Sequence, residues 1–226
     1  LKMYMADVSM LVSEKIGASA FLFEQAHGTM LDPVFGTYPF TVAPPTISSA
    51  VFPSVGIAAR PVDVIGVVKA YTTRVGNGPF PTELFEAIGE TIRKAGREFG
   101  TVSKRPRRCG WLDMPILRYA VRLNGVASLA ITKLDVLSGI QKLKVCIGYR
   151  YGGKILRQFP SEISTLARTT PIYEILEGWD RDITKAKKRS DLPKKAQHYL
   201  GFIEHELHIP IRFISIGAER KALIER

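Results

Sequence analysis

The chain has 226 residues, a formal net charge of +11, 46% hydrophobic and 23% charged residues. That balance is ordinary for a globular protein and excludes a disordered, collagenous or coiled-coil chain as its main character. No run of about 18 apolar residues occurs, so neither a membrane-spanning helix nor a membrane partner is expected.

The chain starts at Leu1 instead of Met, which points to sequence upstream, and its first ten residues have no basic stretch followed by an apolar one, so no secretory signal is expected. In chain order, short apolar runs at 18–23, 64–70, 127–132, 143–149 and 211–215 read as buried strands. Their near-continuous hydrophobicity suits a sheet covered on both faces. Between the first two runs, residues 28–61 are rich in Gly, Pro, Thr and Ser and read as long ordered loops. Pro81, Thr82 and Glu83 read as a helix start, with Leu84, Phe85, Ile88 and Ile92 as its apolar face and Lys94 and Arg97 near its end. Two more helices are predicted over 113–124 and 193–207. Strands alternating with helices give an α/β fold with a central, mostly parallel sheet. The reading is one domain over 1–226.

Two cysteines, Cys109 and Cys146, are too few for a disulfide scaffold or a four-cysteine zinc site. A reducing, cytoplasmic location is the expectation. The positive charge gathers at Lys104, Arg105, Arg107 and Arg108, and again at Lys185, Lys187, Lys188, Arg189, Lys194 and Lys195. Such an excess favours polyanionic partners. The second cluster also reads as a solvated loop and helix start. The first abuts the apolar segment Cys109-Gly110-Trp111-Leu112, which would hold its guanidinium forks in place for phosphate or carboxylate. Aromatic residues are not interleaved with the basic ones, so nucleic acid is not expected as a partner.

Three segments could carry chemistry. Thr132-Lys133-Leu134-Asp135 follows the predicted strand 127–132. A Lys and an Asp two apart at a strand's C-terminal end can grip a guanine: the carboxylate accepts from its N–H groups and the Lys stem packs on the ring. The same tetrapeptide also reads as a loop with a surface ion pair. Ser215-Ile216-Gly217 follows the last strand; it offers a hydroxyl and a close backbone approach, or is a plain turn. The run 74–83 holds two glycines and two prolines before a predicted helix. It lacks the Gly-x4-Gly-Lys-Ser/Thr spacing of a phosphate-binding loop, which occurs nowhere in the chain. His205 and His208 are not completed into a metal site, and no nucleophile–base arrangement follows from spacing.

Several segments in order are similar to adenylosuccinate synthetases. They are Leu22-Phe23-Glu24, Gly28-Thr29-Met30-Leu31-Asp32, Gly36-Thr37-Tyr38-Pro39-Phe40, Val67-Val68-Lys69-Ala70-Tyr71-Thr72-Thr73-Arg74-Val75-Gly76 and Gly78-Pro79-Phe80-Pro81-Thr82-Glu83-Leu84. Further on come Arg105-Pro106-Arg107-Arg108-Cys109-Gly110-Trp111-Leu112-Asp113, Thr132-Lys133-Leu134-Asp135-Val136-Leu137, Pro171-Ile172-Tyr173-Glu174, Gly178-Trp179, Leu192-Pro193 and Ser215-Ile216-Gly217. The resemblance runs nearly end to end but covers only the C-terminal half of that family.

The resemblance implies a phosphate-loop-NTPase-like synthetase fold lacking the half that holds the phosphate loop, the catalytic base, the histidine acid and the Mg2+ site. It implies GTP, IMP and aspartate as ligands and Mg2+ as cofactor, in a GTP-dependent ligase of purine biosynthesis that forms adenylosuccinate. It assigns Lys133, Leu134, Asp135, Ser215, Ile216, Gly217 and Arg107 to GTP. His27, Arg105 and the position of Val42 fall to IMP, and Thr101, Val102, Ser103, Lys104, Arg105 and Arg107 to the aspartate loop. It also implies a homodimer, or association with a missing N-terminal half. No catalytic or metal residue is assigned, so the isolated chain is expected to be inactive. The alternative is a non-catalytic purine-nucleotide-binding or structural partner module.

Three departures bear on that alternative. His27 stands where the family usually has Gln, and Val42, which has no donor, where it has a Thr; a strand's side chains alternate faces, so Thr41 cannot simply substitute. Lys104 stands where it has Gly, adding a side chain where backbone freedom is wanted. Drift of the substrate pocket on a retained scaffold fits a relaxed or altered function.

Overall fold

The computed structural model describes residues 3, 5–101 and 104–226. Among the described residues ten strands form two main sheets and a short ribbon. The first sheet runs β1 (Ile65–Lys69), β5 (Ser128–Thr132), β9 (Ile211–Ser215), β10 (Leu223–Glu225). Its β1–β5 and β5–β9 pairings are parallel and only β10 is antiparallel. The second sheet is built on the long β6 (Lys142–Tyr151), with β4 (Leu112–Asp113) parallel to it and β7 (Lys154–Leu156) and β8 (Thr170–Glu177) antiparallel. β2 (Thr72–Arg74) and β3 (Arg108–Gly110) make the antiparallel ribbon.

Six α-helices accompany them: α1 (Val8–Lys15), α2 (Val51–Val55), α3 (Ala87–Ala95), α4 (Met114–Asn124), α5 (Ile163–Leu166) and α6 (Lys194–Leu207). The start and end of α4 follow from local chemistry. The Asp113 carboxylate caps it by accepting from Ile116 N, and Gly125 ends it at φ 61°. α6 begins behind Pro193 and turns Ala196, Tyr199, Leu200, Ile203 and Leu207 to the core at helical spacing. The Tyr199 hydroxyl donates to Ala70 O at 2.6 Å, tying α6 to the end of β1. One buried cluster joins both sheets, with Leu129 and Ile131 of β5, Leu143 and Val145 of β6, Trp111, Trp179 and Tyr199 among its members. Each such large side chain contributes about 1.5–3 kcal/mol by leaving water.

The expected strands at 64–70, 127–132, 143–149 and 211–215 and the helices over 113–124 and 193–207 are present within a residue or a few at their ends. Three expectations are corrected. Residues 18–23 form no strand: nothing among the described residues pairs with them, and Leu22 is 92% exposed. The helix expected from Thr82 begins only at Ala87, because Glu83 bridges to Gly110 and Leu84 N donates to Cys109 O, so a long-range pairing takes the first turn's place. Burial on both faces holds for β5 but not for β1, which is the sheet's edge and leaves Val67 73% exposed. The loops predicted over 28–61 are present, with α2 and short 3-10 turns inside them.

Candidate functional site

Parallel pairing aligns the C-terminal ends of β1, β5 and β9 along one edge, with Lys69 opposite Thr132 and Ile131 opposite Ile214. Lys133 therefore leaves β5 beside the point where Ser215 leaves β9. Lys133 has φ 59°, a left-handed turn that swings the chain into the 3-10 helix Leu134–Leu137. Leu134, Val136 and Leu137 anchor that turn in the core. Asp135 is left half-buried between them. Its Oδ1 is shielded from solvent and accepts no hydrogen bond. Burial raises the Asp135 carboxyl above the usual carboxylate range, against the pull of its own backbone N–H, of Lys133 and of the Val136 N–H, and the nearby Asp182 adds to the rise. An unsatisfied carboxylate oxygen suits a ligand that brings its own N–H donors. Across the edge, Ile216 is buried, its N–H donates to Ala222 O at 3.0 Å, and Ser215 Oγ donates to Gly217 O at 3.1 Å.

Behind this edge lies a cluster that the sequence reading missed. Glu98 is wholly buried. Its Oε1 accepts from Lys69 Nζ at 2.8 Å, Lys133 Nζ at 2.9 Å and the Tyr71 hydroxyl at 2.6 Å. Its Oε2 accepts from Arg107 Nη1 at 2.8 Å. Burial alone would raise this carboxyl, but Lys133, Lys69, Tyr71 and Arg107 bring it down to about 2. Burial also lowers Lys69 below the usual lysine range, against the pull of Glu98. Lys133 Nζ makes a second bond, to Gly96 O at 2.5 Å. Arg107 Nε is buried without a partner. The signal in the sequence was slight: Lys69 closes β1 as Thr132-Lys133 closes β5.

The arginine loop follows Glu98 directly. Arg107 N donates to Glu98 O and Gly100 N to Arg105 O, both at 2.9 Å, closing the loop's base. Thr101, Lys104 and Arg105 are exposed; Val102 and Ser103 lie outside the described residues. Lys104 has φ 55°, so the backbone there is one that Gly adopts without strain. Arg108 plays a scaffold role: it pairs with Glu83 and donates to Gly76 O and Gly78 O at 3.1 and 2.9 Å. The glycine- and proline-rich run 74–83 is thus a braced turn.

His27 and Val42 sit on a separate loop organised by the buried Asp32, which accepts from Val34 N, Phe35 N and Thr46 N. His27 is exposed and Val42 is half-buried. Residues 41–42 are loop and not strand, so alternation of faces does not decide between Thr41 and Val42. Arg74 ties this loop to the braced turn through Thr37 Oγ1 at 2.8 Å and Asn77 O at 2.9 Å. Lys133, Asp135, Ser215 to Gly217 and Arg107 are therefore gathered at one edge, while His27 and Val42 lie on the Asp32 loop, which Arg74 ties to the braced turn. In the second basic cluster, Arg189 pairs with Glu204 at 2.6 Å and Lys195 with Glu177 at 3.1 Å. Among the described residues no group of three His, Cys, Asp or Glu could hold a metal ion, and no helix is long and apolar enough to cross a membrane.

The family model for adenylosuccinate synthetase matches residues 1–224. The chain belongs to the adenylosuccinate synthetase family. It is 50% identical over 226 residues to the adenylosuccinate synthetase of Thermodesulfovibrio yellowstonii and 48% identical to that of Carboxydothermus hydrogenoformans, covering 99% of this chain and 53% of each relative. The chain thus spans about half the length of the curated relatives it matches. The structure of the fully ligated adenylosuccinate synthetase from Plasmodium falciparum superposes with a TM-score of 0.97 at 38% identity, covering all of this chain and 55% of that one. A cyanophage succinoaminodeoxyadenylate synthetase shares the fold at 15% identity and a TM-score of 0.58. The family supports the fold class read from the sequence.

Proposed function

We propose that this chain is the guanine-nucleotide-binding part of an adenylosuccinate synthetase, which joins aspartate to IMP at the expense of GTP in purine biosynthesis. The observation that supports this reading most strongly is the unpartnered Asp135 Oδ1 beside the pinned stem of Lys133. A guanine would offer its N1–H and exocyclic amine to Asp135 and lay its ring on Lys133. Leu134 and the backbone of Ser215, Ile216 and Gly217 would close the pocket, and Arg107 would face the charged part of the nucleotide. Arg105 with the loop 101–104 would take the aspartate carboxylates, and Arg105 with His27 would reach IMP, with Val42 lacking a donor. Mg2+ belongs to the family's reaction; among the described residues no group of three His, Cys, Asp or Glu gathers to hold it, and no step here runs through it.

The reading remains a single domain over 1–226, and the buried cluster that joins both sheets supports it for residues 68–224. The exposed apolar edge at Val67 and the unpaired, exposed Leu22 favour a partner surface there. The remainder of the family's fold, or a second copy, is the occupant that fits. The nucleotide reading is tested by calorimetry of the chain with GDP and with ADP. GDP binding that ADP does not reproduce, and that Asp135→Ala removes, is the expected result. Equal binding of both nucleotides, or none, overturns it.

A further inference from the structure

We propose that Glu98 is the positioning residue of this nucleotide site: one buried carboxylate holds both the lysine that walls the base and the arginine loop that faces the charged ligands. The proposal rests on the nucleotide reading above and deepens it. Glu98 is wholly buried, so it touches no ligand and acts through others. Its four donors come from three separate pieces of the site. Lys69 closes β1, Lys133 follows β5, and Arg107 starts the return from the arginine loop. Tyr71 completes the set from the turn after β1.

The effect on Lys133 is specific. Its backbone is fixed in a left-handed turn and its ammonium is fixed by Glu98 Oε1 and Gly96 O, so the methylene stem is held at both ends. A stem held that way is a preformed wall for a flat ring, and the ordering entropy of a free lysine is already spent. Without the carboxylate, the ammonium has one neutral carbonyl left and water competes for it. The segment before Glu98 is shaped around the same group: a Cβ on Gly96 would strike the Tyr71 hydroxyl and lie 2.9 Å from Ile92 O. Arg107 is held through its Nη1, so the arginine loop and the base wall share one anion.

The test uses Glu98→Gln, which keeps the shape and removes the charge, and Lys133→Met, which keeps the stem and removes the ammonium. GDP affinity is measured by calorimetry for the wild type, both single variants and the double variant. Glu98→Gln is expected to weaken GDP binding by roughly tenfold, and to add clearly less than that factor on top of Lys133→Met, as coupled neighbours do, the remainder acting through Arg107. A folded Glu98→Gln variant that binds GDP like the wild type, or effects that multiply in the double variant, overturns the proposal. If Glu98→Gln does not fold, Lys133→Met alone is read against the wild type, and an unchanged GDP affinity there overturns the proposal. The lysine side chains are also followed by 15N NMR. The proposal expects a slowly exchanging Lys133 ammonium, identified by its absence in Lys133→Met, that is lost in the Glu98 variant. Its persistence there overturns the proposal. If the wild type binds no GDP, the nucleotide reading fails, and the lysine signal alone still decides whether Glu98 positions Lys133.

Discussion

Asp113 gives a stability prediction with a definite sign. Its carboxyl is entirely buried and caps α4 through Ile116 N at 3.2 Å, and it accepts from the Tyr149 hydroxyl at 2.7 Å, while Oδ2 has no partner. Burial raises its pKa from 3.8 to about 7. The folded protein therefore holds a proton that the unfolded chain releases between those values. Stability from this group is fully present below about 4 and is lost as the pH rises through about 7. Between pH 5 and pH 8 the linkage amounts to about 2–3 kcal/mol. Asp113→Asn keeps an acceptor oxygen for Ile116 N and Tyr149 and cannot titrate. Urea unfolding of both proteins at pH 5, 6.5 and 8 reads the difference and cancels the contributions of all other groups. The wild type is expected to lose about 2–3 kcal/mol relative to Asp113→Asn across that range. A difference that stays flat within about 0.5 kcal/mol would refute the argument that this carboxyl is folded as the acid.

Three further outcomes follow from local geometry and from the absence of a phosphate loop. Gly110→Ala places a methyl 2.6 Å from both the Phe80 ring and Thr82 O, so it is expected to destabilise the protein by about 1–3 kcal/mol in urea unfolding. Lys104→Gly relieves a left-handed residue and is expected to raise stability by about 0.5–1 kcal/mol, read as a higher Tm. The 226 residues alone, given IMP, GTP, aspartate and Mg2+, are expected to form no adenylosuccinate above the uncatalysed background by chromatography; turnover would show that this chain supplies the missing chemistry itself.

Much of the scaffold was legible because its signals are local. Asp113 and Gly125 bound α4, Pro193 opens α6, and the mostly apolar runs of β5 and β9, the latter broken by Arg212, need no partner to be recognised. β8 escaped because it is a half-solvated antiparallel strand whose Ile175 faces water, so its apolar residues do not form a continuous run. Residues 18–23 misled for the opposite reason: they have a strand's composition, but a strand exists only with a neighbour. Thr82 looks like a helix cap until Gly110 is brought beside Glu83 from a distant part of the chain.

The site divides in the same way. Lys133 and Asp135 could be found because a strand's end places them and a spacing of two keeps them together. Glu98 could not, since its partners lie between 9 and 35 residues away and follow no period. A buried counter-ion of this kind becomes visible only when the fold gathers its donors. The weight of Lys104 was readable from the family pattern, and its φ of 55° supplies the physical reason.

The central claim is that Asp135 reads the guanine edge, and a change of specificity tests it most directly. Asp135→Asn presents an amide oxygen to a purine N1–H and an amide N–H to whatever stands at C2. Titration of the wild type and this variant with GDP and with xanthosine diphosphate decides the matter. The account predicts that the wild type takes GDP and that the variant loses GDP and gains xanthosine diphosphate, whose C2 carbonyl can accept from the new amide. A variant that still binds GDP as the wild type does, or that loses GDP without gaining the xanthine nucleotide, would contradict it.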